Sequence, residues 1–360
     1  MEVGVRQAMA GKSIIEMRRR IPALDSLRGL AALGVVVFHC AGGLVHRIVP
    51  AGQLVALFFV LSGFVLTLGP VKAGLNDYGW LAYQASRLTR LLPPIVVAVV
   101  LCYLVSTCFV LSGVGSGAVS GIVPSTGGLR EWSHGLLQQL DVLSMSTAGV
   151  RADGTVVPMM DLPVWSMCWE LLFSLLLPLY VLLARDARVV VPSMLAVMAF
   201  AQWSGWLPLQ HMAVFAIGVA LAYHHASGRG ADLSGGWSVI ACLACVAMMV
   251  QSGFSPLPSW LSEPLGVAGA AGLVYVGTGD NIVSRLLSCR PLTHLGAISF
   301  SLYLTHLPVR DLLGQFIRIP GRGLVLMLVM LAVAELFYRL VEKPSVMLSH
   351  RVRESCMSLR

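Results

Sequence analysis

Ten apolar stretches near twenty residues long, beginning near Leu24, Ala51, Leu91, Pro163, Val189, Trp206, Gly236, Pro264, Pro291 and Leu324, leave this chain few folds to choose from. A helix needs about 20 apolar residues to cross a hydrocarbon core roughly 30 Å thick. Inside that core every backbone polar group must be satisfied within the protein, which leaves helices or closed barrels. Runs this long are helical. The chain is 57% hydrophobic and 12% charged, whereas a soluble domain carries about 25% charged residues. The expected fold class is therefore all-α, a polytopic membrane bundle of about ten transmembrane helices, with the fifth stretch the shortest.

Ten spans put both termini on one side, and the basic residues choose the side. With the N-terminus inside, 19 of the 25 Lys and Arg fall on the cytoplasmic face, led by Arg18, Arg19, Arg20 and Arg28. The formal net charge of +8 is then a statement about topology. Nucleic acid is not an expected partner, because no basic face exists outside short loops. Asp25 and Arg28 interrupt the first apolar run, and no small-x-small cleavage site follows it, so that run is expected to be retained as a span rather than removed as a signal peptide. The expected organisation is a cytoplasmic segment 1–20, one membrane domain 21–345 and a cytoplasmic tail 346–360. The oligomeric state is left open.

Two polar stretches stand out. Residues from Ser112 to Asp161 are rich in Gly and Ser and external on this threading, so they are a candidate cover for an external acceptor site. Asp77 to Leu92, with Trp80, Tyr83, Arg87 and Arg90, has the composition of a helix lying at the headgroup level, with Pro93-Pro94 expected to end it. The eight cysteines are scattered, and the close pair Cys242 and Cys245 has no His or acidic neighbour in its apolar run, so no metal is expected. No internal repeat of the kind found in transporters is visible.

Arg28 and His39 lie in the first span, eleven positions apart. At about 100° per residue, eleven steps return a helix to within about 20° of its starting direction, with a rise of about 16 Å. Both side chains therefore share a face, with Asp25 close to it. If Arg28 marks the membrane surface, His39 falls near mid-core, where an ionisable group is costly and usually functional.

The first span does not stand alone. Leu24-Asp-Ser-Leu-Arg-Gly-Leu-Ala-Ala leading to Phe38-His39, then Leu57-Phe-Phe-Val-Leu-Ser-Gly-Phe64, resembles the opening of the acyltransferase 3 family of membrane acyltransferases. Arg87-Leu-Thr-Arg90 is similar to its paired-arginine motif, and Trp165-Ser-Met-Cys-Trp-Glu170 to its Trp-Ser-x-x-x-Glu segment. The stretches Ile298 to Val309 and Tyr338 to Pro344 match its last two spans. Ser26 and Ser174 depart from the family pattern, which often has Gly and Tyr there. The resemblance implies transfer of an acyl group, commonly acetyl from acetyl-CoA or another acyl-CoA, to a hydroxyl of a glycan or other acceptor. It also implies an integral protein of a bacterial inner membrane, with membrane lipids and a carbohydrate-like acceptor as partners.

Such chemistry requires a base for the attacking hydroxyl, donors for the oxyanion and cationic grips for the phosphates of CoA. His39 fits the base, since an imidazole of ordinary pKa about 6.5 is mostly neutral at pH 7; a structural interhelical histidine is its alternative. Arg28 pairs with Asp25 or points toward the donor, and its five N–H groups allow both. Small Ala32 and Val35, on the same stripe, would let an acyl-pantetheine arm lie along the helix. Arg87 and Arg90, one turn apart, form either a clamp on CoA or an anchor to anionic lipid. Glu170 is the third catalytic candidate, orienting His39, accepting a proton or bridging helices. His306, His211 and His224-His225 are expected to be structural or interfacial, and Glu342 to join Arg339 and Lys343 in an ion-pair cluster. Direct transfer and an acyl-enzyme both satisfy the sequence. The rival class is a transporter or flippase for a lipid-linked or small anionic substrate.

Overall fold

Pro22, at a position where a helix has no use for an N–H, opens α1 (Pro22–Cys40). The computed structural model describes residues 21–358, apart from residues 42, 142–144, 148–149, 152–159, 161, 229, 231–232, 235, 255–256 and 318–320. A short α2 (Leu44–Ile48) leads into α3 (Ala51–Ala73) and α4 (Trp80–Ser112). The connection to the next long helix carries α5 (Leu129–Leu140) and an antiparallel pair of short strands, β1 (Met145–Thr147) and β2 (Val150–Arg151). Then come α6 (Trp165–Leu183), α7 (Ala187–Ser204), α8 (Leu207–Ala226), α9 (Trp237–Val250), α10 (Ser259–Gly277), a short α11 (Ile282–Leu287), α12 (Arg290–Gly314) and α13 (Arg322–Phe337). One π-helical turn, Tyr338–Glu342, joins α13 to α14 (Lys343–Ser358).

Among the described residues, six segments are long and apolar enough to cross a membrane: Pro22–Cys40, Leu44–Ala73, Trp80–Ser112, Trp165–Leu183, Ala187–Ser204 and Arg322–Ser358. The protein is an integral membrane protein. The four other stretches anticipated from sequence are also helices, namely α8, α9, α10 and α12.

One sequence expectation changes, and two others gain structural detail. The proline pair does not end an interfacial helix, because α4 runs through Pro93 and Pro94 without a break. A helix so placed loses two backbone donors, and within a bundle neighbouring groups can take over the freed carbonyls. The stretch expected as a tail is helical as far as Ser358, being the body of α14, which packs along α4 with the Arg353 guanidinium over the Tyr78 ring at 4.9 Å. The stretch 112–161 is tied down at its start: Asp311 of α12 accepts from Ser120 N at 2.8 Å, and Gln315 accepts from Ser116 N at 3.1 Å. Residues 142–144, 148–149, 152–159 and 161 of that stretch, and the basic run Arg18 to Arg20, lie outside the described residues.

Glycines set the two closest helix crossings. Without water to drive association, membrane helices adhere through close packing, which small residues permit. A Cβ added to Gly29 of α1 would stand 2.6 Å from the backbone N of Gly296 in α12. Gly63 of α3 and Gly218 of α8 meet in the same way, backbone against backbone. Around the second crossing Phe173 stacks on Phe215 with centroids 4.4 Å apart, and Phe59 meets Phe173 edge-on at 5.2 Å. These rings form the largest core.

Valine at Gly29 must drive α1 and α12 apart. Overpacking of this kind costs about 1–3 kcal/mol, so G29V should lower the thermal unfolding midpoint in detergent. G323A, where an added Cβ meets nothing within 4 Å, should leave the midpoint unchanged or raise it.

Candidate functional site

The crossing at Gly29 and Gly296 lays α1 parallel to α12, so that polar groups of one helix meet polar groups of the other at two levels. At the first level Arg28 Nε donates to Ser299 Oγ at 3.1 Å and an Arg28 Nη to the Gly296 carbonyl at 3.0 Å. Asp25 lies 3.7 Å away on the same guanidinium. At the second level, eleven residues on along α1, the His39 and His306 rings lie with centroids 5.3 Å apart. Arg310 donates to the His39 carbonyl at 3.3 Å and is itself paired with Asp311. The shared face read from the spacing is thus realised against one neighbouring helix.

Around the first level opens a cavity of about 150 Å³ lined by Arg28, Arg87, Arg90, Glu170, Ser299 and Tyr303, among others. Arg87 and Glu170 form a largely buried ion pair. Arg87 Nε also donates to Ser174 Oγ at 3.1 Å, and Ser62 Oγ donates to Glu170 at 3.0 Å. The paired arginines and Glu170, separate motifs in the sequence, therefore share one wall. Glu170 makes these bonds with Arg87 and Ser62 rather than with His39. Ser174, which carried no evident chemistry in the sequence, proves to hold Arg87 and donates to the Glu170 carbonyl at 2.8 Å.

Around the second level lies another cavity, of about 310 Å³, lined by His39, Trp165, Gln210, His211, Glu263 and Tyr303 together with small and apolar residues. It is built where α1 ends and where α3, α6, α8 and α10 begin. Val55, Phe59 and Tyr303 line both cavities, so these three residues form the partition between them. The Tyr303 hydroxyl is 2.9 Å from Ser166 Oγ.

Several expectations need correction. His39 stands in the last turn of α1, one residue from its end. Ala32 is 1% exposed and packs with Leu326, Met330 and Ala334 of α13, away from both cavities, so no acyl arm can lie across it; only Val35 of that stripe reaches a cavity. Glu342 is not in an interfacial ion cluster. It is buried and accepts from Ser301 N at 3.2 Å and from Ser301 Oγ, while Arg339 pairs with Glu335 at 2.6 Å. The π-helical turn, which shifts the register of the last helix, carries Glu342 to that position. His306 is fully buried, and its Nδ1 donates to the Tyr303 carbonyl at 2.8 Å, whereas His211 lines a cavity.

Sequence reading missed Glu263, Gln210, Tyr303 and Ser299. Glu263 had a usable signal. It precedes Pro264, where the apolar run begins, but α10 starts at Ser259 and carries the acid inside the helix.

Compared with known protein families, residues 21–339 match the profile described as an acyltransferase domain, Acyl_transf_3. No curated protein and no solved structure matches the chain.

Removing one partner of a buried ion pair strands the other charge, at a cost of about 3–5 kcal/mol. E170A should therefore lower the unfolding midpoint in detergent well below that of the double variant R87M/E170M. Equal losses in the two would show that Arg87 does not depend on Glu170.

Proposed function

The chain belongs to the acyltransferase 3 family, and from that premise we propose that it moves an acyl group, most simply acetyl, from acyl-CoA to a hydroxyl of a glycan or glycan-like acceptor. One observation carries the reading: a basic cavity and a histidine cavity, at opposite ends of the same helices, are divided by three side chains. Donor and acceptor enter from opposite sides and meet at that partition.

The donor side is the arginine side. Guanidinium forks bind phosphate oxygens in matched pairs, and Arg28, Arg87 and Arg90 line one small cavity. Arg28 keeps N–H groups to spare beyond its bonds to Ser299 and Gly296. Glu170 acts as a positioning residue, holding Arg87 toward the cavity. In a ten-span threading with both termini cytoplasmic, this is the face reached by cytosolic acyl-CoA, and a bacterial cell membrane is the setting that the family implies.

On the other side His39 acts as general base. Its ring lines the cavity, and Arg310 fixes the backbone at that point. The imidazole takes the proton of the acceptor hydroxyl as its oxygen attacks the thioester carbonyl. The Tyr303 O–H, turning from Ser166, donates to the oxyanion from the partition. Collapse of the tetrahedral intermediate breaks the C–S bond, and the CoA thiolate leaves with the proton from the imidazolium. The acyl ester and free CoA are the products.

Acid–base catalysis by one positioned side chain contributes about 10²–10⁴-fold. With labelled acetyl-CoA and purified protein, H39A should lower kcat by that order while the KM for the donor stays near that of the wild type. Conversely, R87K, which keeps the charge but loses the fork, should raise the donor KM with little change in kcat. Uptake of label without loss of its acyl group would favour a transporter.

A further inference from the structure

The histidine cavity holds more polar chemistry than a base alone requires. Glu263 of α10 and Gln210 of α8 both line it alongside His39, and all three lie on helices of an apolar bundle. A carboxylate within such a bundle is expensive and tends to face a cavity or a partner. Here it does both. Gln53 Nε2 donates to one Glu263 oxygen at 2.7 Å, which fixes the carboxylate at the α3–α10 contact. Gln53 is 1% exposed, and its Oε1 is buried without a partner among the described residues. Gly266 leaves room for that amide: a Cβ there would lie 2.6 Å from Gln53 Oε1 and oblige the side chain to shift. Gln210 is likewise braced from behind by Gln202 Nε2.

Beside these groups runs an aromatic wall. His211 packs against Trp165 and Trp169 with centroids 5.5 and 4.9 Å apart, and Phe59 meets it edge-on at 5.7 Å. The cavity thus combines ring faces with an acid and an amide, each held by a second amide. An aliphatic alcohol would leave the acid and amide with only their bonds to Gln53 and Gln202, their remaining polar atoms desolvated at a cost. A ring bearing several hydroxyls would satisfy them, and its C–H face would cover the aromatic wall.

We infer that Glu263 and Gln210 are the residues of this cavity that select the acceptor, binding hydroxyls that flank the one delivered to His39. The inference rests on the acyltransferase reading with its glycan-like acceptor and assigns the side chains that recognise it. A site built to hydrogen-bond substrate hydroxyls rejects analogues that lack them, so the discrimination is expected to be strong. Glu263 and Gln210 are specificity-determining residues that touch the acceptor and leave the donor alone.

The experiment uses the full chain in nanodiscs, labelled acetyl-CoA, and a panel of methyl glycosides set against 1-octanol and water. Methyl glycosides should accelerate acetyl-CoA consumption and carry the label, whereas 1-octanol should not. E263Q keeps an oxygen to accept from Gln53 and so preserves the interhelical bond. It should raise the KM for the glycoside by about tenfold or more, as loss of a charged hydrogen bond does, and Q210A should do the same. Donor KM and the slow hydrolysis by water should stay within twofold of the wild type in both. E263D should recover part of the glycoside affinity. Preference for 1-octanol, or an unchanged glycoside KM in E263Q and Q210A, would overturn the subsite. A wild type that consumes no acetyl-CoA, with or without an acceptor, would overturn the acyltransferase reading beneath it, whereas an H39A protein as active as the wild type would overturn the subsite by removing the base it is built around.

Discussion

Everything at the site depends on how closely α1 and α12 approach at Gly29 and Gly296. With a side chain at either position, the helices could not bring Arg28 within hydrogen-bonding distance of Ser299 and His39 beside His306. Packing is what holds membrane helices together, so a contact between two bare backbones does both jobs. It supplies adhesion, and it fixes the register of two polar pairs along one interface. The polar groups need that register, because in a medium without water a misplaced guanidinium or imidazole has nothing else to bond.

From this register follows the division of the molecule's interior. Arg28 and the Arg87–Glu170 pair gather near one end of the helices, and His39, Gln210 and Glu263 near the other, with Val55, Phe59 and Tyr303 between them. The two ends differ in the charges they present. One has guanidinium groups suited to phosphate oxygens. Its counterpart offers an imidazole, an acid and an amide among aromatic rings, suited to neutral hydroxyl-bearing molecules. A bundle arranged in this way can bring an anionic donor and a polar acceptor together without either crossing.

The parts legible in the sequence were those that repeat along a single helix. Apolar runs revealed the helices, and an eleven-residue spacing revealed a shared face for Arg28 and His39, now seen against α12. Contacts between helices were not legible. Nothing in the spacing of Arg87 and Glu170 says that they form an ion pair, since 83 residues separate them. Ala32 has the right angle and size to line a cavity, yet α13 covers it, and a periodicity cannot say which neighbour occupies a face. Pro93-Pro94 misled because local rules end helices at prolines, whereas α4 is carried through by its surroundings. Glu263 was overlooked because the apolar run was started at Pro264, five residues after α10 begins at Ser259, which left the acid outside the helix. The family motifs joined segments that spacing could not, and the structure supplied the distances.

The central claim is that donor and acceptor meet from opposite sides at His39. Sealed proteoliposomes of uniform orientation test it, with labelled acetyl-CoA outside on the arginine face and a methyl glycoside trapped within. The account predicts labelled glycoside in the lumen while CoA is released outside and no acetyl-CoA enters. Label on the glycoside only when both substrates occupy the same side would contradict it.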